Sequence, residues 1–65
     1  MRKRVSVMSV IELKNIAQLL SERGGMIDQN YEVGSMVGDC GGKVVFRAFK
    51  IGPSSWEVTE YLEAS

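Results

Sequence analysis

The chain begins on a period of two: between Lys3 and Met8, Val5 and Val7 share one side while Arg4 and Ser6 take the other. Alternation with β-branched residues predicts a half-buried strand. The period then lengthens. Leu13, Ile16, Ala17 and Leu20 recur at steps of three and four, which puts them on one face of a helix. Ser9 followed by Glu12 has the spacing of a capping box, in which the two side chains satisfy each other's free backbone amides. Gly24 and Gly25 end the pattern, and Arg23 suits the negative end of the helix dipole. Together these signals predict a helix over Val10 to Arg23.

Met26 to Asn30 reads as a connector. Beyond it, Tyr31 to Val37 alternates, with Tyr31, Val33, Ser35 and Val37 on one face and Glu32, Gly34 and Met36 on the other. The stretch Gly38-Asp39-Cys40-Gly41-Gly42 holds three glycines, and a tight reversal needs the positive φ that glycine takes without steric penalty. Lys43 to Ile51 is then the antiparallel partner. It places Val44, Phe46 and Ala48 on one side and Val45, Arg47, Phe49 and Ile51 on the other, so it is apolar on both faces. Gly52 to Ser55 makes a second turn. The last segment, Trp56 to Leu62, fits a strand or a helix. Its Trp, Val, Thr and Tyr favour a strand, and the short turn before it favours a hairpin.

These elements predict an α+β domain of two layers, one helix packed on an antiparallel sheet, in the order β-α-β-β-β. The helix face should lie against Val33, Val44 and Phe46. With 65 residues there is room for a single domain spanning 1–65. Such a domain buries only about 60% of the surface its unfolded chain exposes, so small domains commonly lean on disulfides, metals or self-association. One cysteine closes no internal disulfide, and without histidine it builds no zinc site alone. Self-association is the aid this composition permits.

Charge narrows the function classes. Eight basic residues balance eight acidic ones, so the basic excess of a dedicated nucleic-acid binder is missing. No apolar run nears the roughly 18 residues of a membrane span. Arg2-Lys3-Arg4 resembles the start of a signal peptide, but Ser6, Ser9, Glu12 and Lys14 break up the apolar positions beyond it. A single thiol and no signal lead us to expect a cytoplasmic protein. The ends differ in sign: Arg2, Lys3, Arg4 and Lys14 crowd the first, and Glu57, Glu60 and Glu63 the last.

Candidate chemistry is sparse. Without histidine the commonest general base is missing, and no base is identifiable to activate Cys40. Gly38 to Lys43 ends in Gly-Gly-Lys but lacks phosphate-loop spacing, and it leads into a strand where a phosphate cradle needs a helix. Glu57, Glu60 and Glu63 align only on a helix, and nothing else converges with them as a hard-cation site. We expect no enzymatic activity, no cofactor and no metal.

The constellation that remains is the sheet face turned away from the helix. If Val5, Val7, Tyr31, Val33, Val44, Phe46, Trp56 and Val58 face the helix, the far side carries Arg4, Glu32, Met36, Val45, Arg47, Phe49 and Tyr61. A protein partner, most simply a second copy forming a dimer, would cover Met36, Val45, Arg47, Phe49, Ile51 and Tyr61. The alternative is single-stranded nucleic acid held by Arg4, Arg47, Phe49 and Tyr61, through stacking and phosphate contacts. Aliphatic Met36, Val45 and Ile51 suit a protein interface better than base stacking.

Overall fold

A computed structural model describes residues 2–30 and 32–62. One helix, α1 (Val10–Glu22), packs on a five-stranded sheet built from β1 (Arg2–Ser9), β2 (Met26–Asn30), β3 (Ser35–Cys40), β4 (Lys43–Lys50) and β5 (Ser55–Leu62). The sheet order is β1-β5-β4-β3-β2, and every neighbouring pair is antiparallel. β2 to β5 form an uninterrupted meander, and β1 closes against β5. The helix therefore carries the chain from one edge of the sheet to the other. This is the expected two-layer α+β arrangement with one strand more.

Local chemistry sets the helix ends: the serine half of the expected capping box is present, and the helix stops at Glu22 with Arg23 as its C-cap. Ser9 Oγ accepts from the Glu12 amide at 3.3 Å, which occupies one of the free N-terminal donors. At the other end the Gly25 amide reaches back to the Leu20 carbonyl at 2.9 Å, and Gly24 to Ser21 at 3.0 Å. That pair of bonds is a Schellman motif, with Gly24 at φ +85° in the left-handed position.

The reversal between β3 and β4 is tighter than the glycine cluster implied. Cys40 pairs with Lys43, leaving Gly41 and Gly42 as a two-residue turn with φ of +61° and +81°. Two consecutive positive φ values match the right-handed twist of the flanking strands. Gly38 lies inside β3, where its role is spatial. A Cβ there would overlap Phe46 Cε1 and lie 2.6 Å from Leu20 Cδ2.

Met26–Asn30 is a strand where a connector was expected. Its tail, Asp28-Gln29-Asn30, shows no apolar alternation, because an edge strand needs only Ile27 to touch the core. The expected strand over Tyr31 to Val37 is divided: Tyr31 lies outside the described residues, and a turn precedes Ser35. The Asn30 side chain accepts from the Val33 amide at 3.2 Å, the Gly34 amide bonds the Asn30 carbonyl at 2.8 Å, and Gly34 takes φ +76°. Val33, expected beneath the helix, is 73% exposed in that turn. The final segment is a strand, paired with both β4 and β1.

The core is Leu13 and Leu20 of the helix against Met36, Phe46, Ala48, Trp56 and Val58 of the sheet. Met36, Ala48 and Val58 lie directly opposite one another across β3, β4 and β5. Directly opposed residues share a face, so this row defines the side under the helix. Extending it to β1 reaches Ser6, opposite Val58, and not a valine. Val5 and Val7 were expected under the helix; they lie on the far side, 60% and 62% exposed. Alternation says which residues share a face, and only register says which face is inside.

Candidate interaction surface

The face away from α1 is built in cross-strand rows. One row runs Val5, Thr59, Arg47, Val37 and Asp28; the next runs Val7, Glu57, Phe49, Ser35 and Asn30. Val5, Val7 and Phe49 are more than half exposed, and Arg47 is exposed between them. Tyr61, half-buried, stands opposite Lys3 at the end nearer the β3–β4 turn. Ile51 follows β4 at 55% exposure, its amide bonded to the Ser55 carbonyl at 3.0 Å. The surface is mixed in sign. Arg47 and Lys3 share it with Asp28, Asp39 and Glu57.

Besides Glu32, which lies in the turn before β3, three residues expected on this surface are elsewhere. Met36 is 1% exposed and sits in the core under the helix. Val45 is half-buried and packs against the core. Both displacements trace to one bulge. Counting back from the Cys40–Lys43 pair in strict register sets Met36 opposite Arg47, but the pairing shifts between Gly38 and Asp39 so that Met36 meets Ala48 and Val37 meets Arg47. One extra residue in β4 thus moves Met36 inward and Val37 outward, while Val44, expected beneath the helix, pairs with Asp39 on the turn side of the bulge and lies outside the core. Arg4 is the third. It lies on the helix side of β1, where its Nη2 donates to both Glu60 carboxylate oxygens at 2.9 and 3.1 Å.

Arg47, Phe49 and Tyr61 therefore share one surface, while Arg4 does not join them. Sequence reasoning missed Val5, Val7 and Val37. The register of β1 against β5 would have exposed the two valines, and the bulge concealed the third.

Cys40 is an exposed thiol beside the two-glycine turn. Glu57 faces the open side and Glu60 the helix side, so they do not converge; Glu63 lies outside the described residues. No three His, Cys, Asp or Glu side chains among the described residues gather as a ligand set. A shallow hollow on the outer face of α1 is lined by Asn15, Gln18, Leu19 and Glu22, all from that one helix. No described helix is long and apolar enough to cross a membrane. Comparison with protein-family models, with curated proteins and with solved structures finds no match for this chain.

Proposed function

We propose that the protein is a small non-enzymatic interaction module, docking through the open face of its sheet onto a second copy of itself. The observation that carries this is the exposure of Val5, Val7 and Phe49 on one sheet face that no other described element covers. Val5 and Val7 are neighbours on β1 and Phe49 lies across Glu57 from them, and exposed apolar side chains gathered on one face among polar ones mark an interaction site. Strands about 4.8 Å apart, rising about 3.3 Å per residue, give this five-stranded face roughly 600 Å², against about 800 Å² per partner in a standard interface. The surface also holds both signs. A two-fold docking can set Arg47 of each copy against Asp28, Asp39 or Glu57 of the other, which makes the patch self-complementary. A cytoplasmic setting fits the unpaired thiol of Cys40.

Single-stranded nucleic acid is the competing occupant, through Arg47, Phe49 and Tyr61. Three carboxylates on the same face oppose a phosphate backbone, and Arg4 is turned away to Glu60. Mass in solution across a dilution series separates the readings. We expect self-association that weakens on dilution and a lower mass with Phe49→Asp, with no shift of mixed single-stranded DNA or RNA at low salt. A monomer at every concentration, indifferent to Phe49→Asp, refutes self-docking. Salt-sensitive oligonucleotide binding lost with Arg47→Ala establishes the competitor.

A further inference from the structure

β1 is an edge strand, longer than the opposite edge and uncharged from Val5 to Ser9. It runs eight residues, its ladder with β5 is regular from Arg2 to Ser9, and it contains neither proline nor glycine. β2 at the other edge is five residues long, with Asp28 at its centre and only polar residues after it. Natural edges are blunted by shortness, charge, proline or bulges. β1 has only charge, gathered at one end in Arg2, Lys3 and Arg4. Alternate N–H and C=O groups along its outer side have no strand beside them among the described residues.

We propose that β1 pairs edge to edge with β1 of a second copy, antiparallel and centred on Ser6, joining two five-stranded sheets into one of ten. Length and charge favour this register: a centre at Val7 pairs residues 5–9, whereas one at Ser6 pairs residues 3–9. Antiparallel partners must share a face, which limits the centre to a residue position. A centre at Arg4 sets two guanidinium groups against each other. A centre at Val5 puts Val7 against Lys3. Centring on Ser6 pairs Val5 with Val7 on the open face, twice, and sets Lys3 opposite Ser9 and Arg4 opposite Met8. The two basic ends then lie at opposite ends of the joint. Four valines, two exposed in each copy, become a continuous cluster.

This contact is independent of face docking and enlarges the surface available to it. Joining the sheets doubles the open face to roughly 1,200 Å² by the same strand spacing, well above what one partner of a standard interface presents.

The test uses cross-linking in a Cys40→Ser background. Ser6→Cys places two thiols at the two-fold axis, where directly opposed Cβ atoms are about 4.5–5.5 Å apart. Gln29→Cys, helix-side on the other edge, is the control. Groups held together in one complex see an effective concentration of about millimolar, so at tens of micromolar Ser6→Cys should form disulfide-linked dimer about tenfold faster than Gln29→Cys. Linking at equal rates overturns the proposal. Amide exchange provides a second reading without substitution. Alternate amides of β1 should exchange slowly at high protein concentration and faster on dilution; exchange independent of concentration refutes edge pairing. Ser6 is on the helix side, so face docking alone leaves its two copies apart. A cross-link that survives Phe49→Asp therefore supports the edge when the face has failed, and loss of one leaves the other standing.

Discussion

Gly38→Ala is the most demanding test of how the core is assembled. Gly38 lies opposite Phe46 on the helix side of β3 and β4, with Leu20 descending onto the same spot. An added Cβ would overlap Phe46 Cε1 and stand 2.6 Å from Leu20 Cδ2 and 2.8 Å from Phe46 Cδ1, all inside any tolerable contact. Neither neighbour has room to swing away, because Phe46 is fully buried and Leu20 nearly so. Overpacking of this kind costs about 1–3 kcal/mol. The stiffer unfolded chain returns only about 0.4–1 kcal/mol of that. A net loss of about 1 kcal/mol corresponds to a fall in Tm of roughly 4–8 °C for a domain this small. Thermal and urea denaturation followed by far-UV circular dichroism would measure it. Phe46→Leu removes the ring edge that the new methyl meets. In the double variant the two costs should therefore fall short of their sum by about 0.5–3 kcal/mol. Gly38→Ala with unchanged or raised stability, or a strictly additive double variant, would refute this account of the core.

The same packing makes two other outcomes measurable. Phe46→Ala should cost about 3–5 kcal/mol in urea denaturation, because the side chain is fully buried at the centre of the cluster; a near-neutral result would remove Phe46 from the core. Ser9→Ala should cost about 1 kcal/mol through loss of the bond to the Glu12 amide, whereas Ser9→Asp, which keeps an acceptor at the cap, should stay close to the parent in the same melt.

The layers, the helix and its caps were legible because each depends on short-range spacing. Ser9, Glu12, Gly24 and Gly25 act within one turn of their own positions, so reading the chain in order suffices. Sheet faces depend on register, and register is a relation between distant segments. Val5 and Val7 were plain as a pair sharing a side. That the side is the open one comes from Ser6 meeting Val58, which no pattern within residues 3–8 contains. The bulge at Val45 is subtler. Phe46 stays inward with or without it, while Met36 and Val37 exchange sides. Met26–Asn30 escaped notice for another reason: an edge strand with one apolar contact carries almost no periodic signal. The candidate surface was accordingly half legible: Arg47, Phe49 and Tyr61 lie on the open face as expected, while Met36, Val45 and Arg4 do not, because a bulge and the β1 register set their sides.

The closure of β1 on β5 shapes the order in which the sheet can form. β2 to β5 are joined by short turns, so each hairpin brings together residues close in sequence. The β1–β5 ladder instead begins at Ser9 and Ser55 and ends at Arg2 and Leu62. Bringing its near ends together encloses a loop of about 45 residues, which costs roughly 2 kcal/mol more entropy than closing a four-residue turn. Long-range pairing of this kind is slow to form, and it is compensated only once α1 and the meander are in place to receive it. The meander therefore assembles with β5 as a temporary edge. The strand that completes the sheet is the first of the five that a ribosome releases and the last to find its place.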